Sequence, residues 1–139
     1  RWVGNVIWVA DWPGWGKKGD KVKCYVELTV TEDGNALVGR FFGGVGSSTW
    51  ITVYDAASRK IMETGVSSGG TTRFAVFYKD DGKWMKSIEG SNPDGTKIKG
   101  DVTITISENG DKHSWSGTTT LGGMPNDPLQ DVWIRVSDK

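Results

Sequence analysis

Lys21-Val22-Lys23-Cys24-Tyr25-Val26-Glu27-Leu28-Thr29-Val30-Thr31 alternates in character along its length. Val22, Cys24, Val26, Leu28 and Val30 share one face, and Lys21, Lys23, Glu27, Thr29 and Thr31 share the other. Successive side chains of a strand point to opposite faces, so this alternation marks a strand with one dry side and one wet side. Residues 97–106 repeat it, with Ile98, Gly100, Val102, Ile104 and Ile106 set against Lys97, Lys99, Asp101, Thr103 and Thr105. A sheet wetted on one face is antiparallel, because parallel sheets are covered on both.

Working outward, turn signals separate such segments. Glu32-Asp33-Gly34-Asn35, Asp80-Asp81-Gly82-Lys83, Asn92-Pro93-Asp94-Gly95 and Glu108-Asn109-Gly110-Asp111 each combine Asn or Asp with Gly. These residues tolerate the positive φ that tight hairpins demand. Ten strands are predicted, over 2–9, 21–31, 36–44, 48–54, 60–67, 71–79, 83–90, 97–107, 112–121 and 130–137. Two links are longer than a hairpin. Residues 11–20 hold Trp12, Pro13, Gly14, Trp15 and Gly16, and residues 122–129 hold Pro125 and Pro128. No segment carries helical periodicity, so no helix covers the sheet. Closing the sheet on itself removes the exposed edges. The expectation is one all-β domain over residues 1–139, an up-and-down antiparallel β-barrel of about ten strands. A two-sheet β-sandwich is the alternative.

The totals narrow the partners. Seventeen basic and seventeen acidic side chains cancel, which speaks against nucleic acid and against docking on an anionic membrane. No apolar run reaches the length of a membrane-spanning helix. Cys24 is the single cysteine, so no internal disulfide forms. Cytoplasmic and secreted or periplasmic settings are both allowed, and a chain starting at Arg1 fits a processed or a trimmed form. Eight tryptophans and twenty glycines imply large flat apolar surfaces and many tight bends.

Four segments carry a likeness to a known superfamily: Trp2-Val3-Gly4-Asn5; Val53-Tyr54-Asp55 with Arg59-Lys60-Ile61; Asp81-Gly82-Lys83-Trp84; and Val132-Trp133-Ile134-Arg135. With these the chain resembles the calycins, the lipocalin-like superfamily, and within it uncharacterised bacterial lipocalin-like barrel proteins. The resemblance implies a barrel closed at one end by a cation–π contact between a first-strand tryptophan, Trp2 or Trp8, and a last-strand arginine, Arg135.

Candidate chemistry centres on charges in apolar strands. Arg40 lies between Val38 and Phe42, and Arg73 alternates with Ala75 and Phe77. Either arginine, turned inward, needs a carboxylate or serves a ligand's acid or carbonyl group. Glu63, Glu89 and Asp55 are the candidate partners. An arginine lying outside over a neighbouring ring is the plainer reading. His113 shares a face with Trp115 and is a candidate base or donor at a barrel mouth, or else an exposed strand-start histidine. It has no second histidine or cysteine to complete a metal site, and no cofactor is expected. Cys24 reads as core packing.

Trp50, Phe41, Phe74, Tyr54 and Trp115 on strands, and Trp12 and Trp15 in the first long loop, are the candidate ligand contacts. The loop pair suits a lid over the barrel mouth or a contact between copies of the chain. Three functions compete. One is binding of a small hydrophobic or aromatic ligand in the barrel. The second is a cofactor-independent isomerase, cyclase or hydratase, with Arg73 or Arg40 as electrophilic group and Glu63, Asp55 or His113 as base. The third is a carbohydrate-binding module, which requires coplanar tryptophans on the outside.

Overall fold

A computed structural model describes residues 1–136. The strands are β1 (Trp2–Ile7), β2 (Lys21–Thr31), β3 (Ala36–Gly43), β4 (Gly46–Asp55), β5 (Lys60–Ser67), β6 (Thr72–Asp80), β7 (Lys83–Ser91), β8 (Lys97–Ile106), β9 (Lys112–Leu121), β10 (Met124–Pro125) and β11 (Leu129–Arg135). Every adjacent pair is antiparallel. Neighbours follow chain order from β1 to β9, and β9 pairs with β11, which returns to β1. Ten strands thus close an up-and-down barrel, and closure rules out the two-sheet sandwich.

Four departures from the sequence reading have local causes. β1 stops at Ile7 rather than residue 9, because Trp8 leaves the ladder to exchange hydrogen bonds with Asp20 and Gly19 at the base of the first loop. β4 runs from Gly46 to Asp55, longer than expected, because Gly43 pairs with Gly46 across a two-residue turn. The last strand begins at Leu129 and ends at Arg135; its expected end, Ser137, lies outside the described residues. The eleventh strand, β10, sits inside the proline-bearing second loop. Met124 opposes Leu121 and Pro125 opposes Thr120, whereas Leu129 opposes Gly117. The pairing sum shifts from 245 to 246, so one extra residue bulges out between Pro125 and Leu129. Pro128 lies there, where no ladder N–H is needed.

The hairpins obey the turn chemistry. Asp80 pairs with Lys83, and the two residues between them, Asp81 and Gly82, take φ of 46° and 74°. Positive φ at both central positions matches the right-handed twist of the flanking strands.

Inside the barrel, the cross-strand row Leu28, Gly39, Trp50, Gly65, Arg73, Gly90, Ile98 alternates large and small. A Cβ on Gly39 would penetrate the Trp50 indole, so glycine there lets the ring lie flat on the wall. The apolar core gathers toward one side, where Val6, Trp8, Cys24 and Trp133 are buried against Trp2, Trp15, Phe41 and Trp115. Each buried indole removes roughly 150–250 Å² from water, about 4–6 kcal/mol before lost side-chain freedom is subtracted.

Candidate functional site

Alternation along ten closed strands leaves one inner face, and there the barrel holds a cavity of about 770 Å³. All eight tryptophans contribute to its lining. The coplanar outer tryptophans that a sugar-binding surface requires are therefore absent.

The first long loop crosses one end of the barrel. It is tied internally by Asp11, which accepts the Lys18 N–H at 2.9 Å, and by Asp20, which accepts the Lys17 N–H at 2.8 Å. Trp15 enters between Trp8 and Phe41, with ring centroids at 5.5 and 4.9 Å. On the far side the loop meets the β5–β6 turn, where a Cβ on Gly69 would collide with the Pro13 carbonyl. Trp12 and Trp15 thus cover one end of the cavity. Towards the other end the Arg135 guanidinium lies 5.1 Å over the Trp2 ring. Of the two tryptophans that the calycin resemblance put forward, Trp2 makes this contact.

The charged centre of the cavity is built by β5, β6 and β7. Glu63, 3 % exposed, receives the Lys86 ammonium at 2.8 Å and the Arg73 guanidinium at 3.0 Å, both on Oε1. Thr52 donates to Oε2 at 3.4 Å. Aromatic faces enclose the cations: Lys86 lies 4.9 Å from the Phe77 centroid and 5.0 Å from Trp115, and Arg73 lies 5.5 Å from Trp50. Gly65 and Gly90 flank Arg73 across the strands, leaving its long side chain room to lie inward. Burial, and then the Arg73 charge, pull the Lys86 ammonium down to about 8, against the Glu63 carboxylate, which holds it up. Arg73 Nε and Trp8 Nε1 are buried without a hydrogen-bond partner among the described residues.

A second polar group faces the same space from β9 and β11. The Trp115 indole N–H donates to His113 Nδ1 at 2.6 Å, which leaves the proton of a neutral imidazole on Nε2. The His113 ring packs 4.4 Å from Trp2 and 6.3 Å from Trp133. Burial lowers its pKa to about 4, so it is uncharged at neutral pH, with one lone pair already engaged. Asp131 lies directly across from Trp115, and burial raises its carboxyl to about 6. Cys24 is 0 % exposed and its thiol is pushed up to about 12, chiefly by burial.

Of the residues singled out from sequence, Arg73, Glu63, His113, Trp50, Phe41, Trp115, Trp12 and Trp15 come together on the cavity wall. The others lie elsewhere. Arg40 is on the outer face, 5.0 Å over the Phe42 ring, because Gly39 and Phe41 take the inner parity of β3. Tyr54 and Phe74 are exposed, at 61 % and 41 %. Asp55 caps the β4–β5 turn by accepting the Ala57 and Ser58 N–H groups. Glu89 pairs with Phe74 and Lys99 on the outward parity of β7. Sequence reasoning passed over Lys86 and Asp131. Their signal was parity: Lys86 shares a face with Trp84 and Ile88, and Asp131 with Leu129 and Trp133.

No protein-family model matches this chain, and neither does any curated protein sequence. The closed ten-strand antiparallel barrel is consistent with a lipocalin-like fold.

Proposed function

We propose that this barrel binds a small hydrophobic or aromatic molecule in its cavity. The observation that carries the reading is the convergence of all eight tryptophans on one space of about 770 Å³ inside the barrel. That volume lies within the range of small-molecule sites, which are lined mainly by apolar and aromatic groups with a few fixed polar ones. Titration of the protein with a panel of aromatic and aliphatic compounds, followed by tryptophan fluorescence and calorimetry, tests it. Saturable one-to-one binding by members of the panel is expected. Absence of saturable binding across the panel would sink the reading.

The buried Arg73–Glu63–Lys86 group favours a second reading, a cofactor-independent isomerase, cyclase or hydratase. Perturbed ionisable groups in a cavity are a recurrent mark of catalytic sites. There Arg73 or Lys86 polarises a carbonyl, and Asp131, which lines the same cavity, serves as base in preference to His113, whose Nδ1 is occupied. Turnover of a bound compound that disappears in Arg73→Ala, with the fold intact, supports this reading over simple binding.

A further inference from the structure

Two cations in the cavity share a single carboxylate, and in fact a single oxygen of it. The Glu63 carboxylate therefore balances one of them and leaves the group with one positive charge in surplus. Lys86 is 5 % exposed and Glu63 is 3 % exposed, while Arg73, 34 % exposed, is the member of the group that stays open to an incoming molecule. Together the two cations carry more N–H donors than one carboxylate has lone pairs to accept, and Arg73 Nε has no partner among the described residues.

The other carboxyl group of the cavity does not supply the missing charge. Among the described residues, the ion pairs of Lys86 and of Arg73 are both with Glu63, and neither cation pairs with Asp131. Asp131 is pushed upward by burial with no cation drawing it down. Its nearest strand partner is an indole, Trp115. An unbalanced charge in an interior is costly unless an opposite charge meets it.

We propose that the ligand is an organic monoanion, whose carboxylate or sulfonate is received by Arg73 and Lys86 while its apolar body lies against Trp50, Phe77 and Trp115. This rests on the reading that the cavity binds a small molecule, and it adds the charge and chemical class of that molecule. A planar acid group matches the fork of a guanidinium. A phosphate monoester brings about −1.5 to −2 charges, more than the surplus.

Two fluorescent probes with the same aromatic skeleton test the proposal: anilinonaphthalene sulfonate, a monoanion, and uncharged phenylnaphthylamine. Each is titrated into the intact protein, and energy transfer from the tryptophans reports occupancy of the cavity. The sulfonate is expected to bind at least about tenfold more tightly than the neutral probe, the scale of one charge-assisted contact. Arg73→Met is expected to abolish that preference while the neutral probe binds as before; Arg73→Lys, which keeps the charge without the fork, retains part of it. The comparison in the unmodified protein stands alone if Arg73→Met does not fold. Equal affinities for the two probes, or an anion preference that survives Arg73→Met, overturn the monoanion proposal and leave ligand binding intact. Binding of neither probe overturns the ligand-cavity reading and this proposal with it.

Discussion

The Lys86 ammonium and the Glu63 carboxylate meet at 2.8 Å in the barrel interior, with 5 % and 3 % of their side chains exposed. Removing one member of a buried ion pair costs more than the pair itself contributes, because the other charge is left stranded. Glu63→Gln strands both Lys86 and Arg73, and is expected to lower stability by about 3–5 kcal/mol. Lys86→Met leaves Glu63 joined to Arg73, so a smaller loss, about 1–3 kcal/mol, is expected. Urea unfolding of both variants checks the ranking. A larger loss for Lys86→Met would mean that Arg73 contributes nothing to holding Glu63.

Asp131 gives a pH-dependent prediction. Its folded-state pKa of about 6 lies above its ordinary 3.8. Below pH 3.8 it is protonated in folded and unfolded chains alike. Between those values the folded chain holds the extra proton, so stability is lost as pH rises. Above about 6 the folded protein bears the full cost of a buried carboxylate. Asp131→Asn is therefore expected to raise stability at pH 7–8, on the order of 1–2 kcal/mol, and to leave it unchanged near pH 3.5. Thermal unfolding across this range is the measurement; a gain of equal size at both ends would refute the titration.

His113 acts in the opposite sense. Its pKa falls from 6.5 to about 4 on burial. The stability linked to its neutral form is complete above 6.5 and drains away as pH falls towards 4. In the Asp131→Asn background this slope is expected to stand uncovered, with stability rising from pH 4 to 6.5. Further replacement by His113→Gln is expected to flatten it.

The Pro13–Gly69 contact predicts how the covered end responds to mutation. Gly69 carries no positive φ, so what excludes alanine there is the first loop's backbone, the Pro13 carbonyl above all and then the Gly14 nitrogen. Gly69→Ala is expected to lift the first loop and quicken tryptic cleavage after Lys17 and Lys18, with the barrel's urea midpoint shifted little. Unchanged cleavage would show that the loop is held from the Trp15 side alone.

Cys24 is expected to be inert. With 0 % exposure and its thiol raised to about 12, it is neither accessible nor ionised at neutral pH. A disulfide reagent should label it only as fast as the barrel unfolds, and prompt labelling of the native protein would contradict the packing.

The barrel was readable because its deciding information is local. Alternation in residues 21–31 and 97–106, with Asn/Asp–Gly pairs between strands, locates most elements within a residue or two. β10 was not readable: two residues beside glycines and prolines carry no periodicity, and their pairing depends on Thr120 and Leu121 being already in place. The site was half readable for a related reason. Arg40 and Arg73 sit in equally apolar surroundings along their own strands. What separates them is cross-strand: Gly65 and Gly90 make room beside Arg73, while Leu28 and Trp50 claim the inner side of β3 at Gly39. Lys86 and Asp131 escaped because charged residues on strands are ordinarily solvated, and only barrel closure reverses that expectation.

The inward convergence of the tryptophans has an optical consequence. Trp8 and Trp15 stand 5.5 Å apart centre to centre, and the remaining indoles share the same wall. Emitters so close exchange excitation among themselves before any one radiates. A bound guest that absorbs in their emission band would thus drain a connected population instead of dimming a single ring. The fold carries its own antenna, with the cavity at the focus.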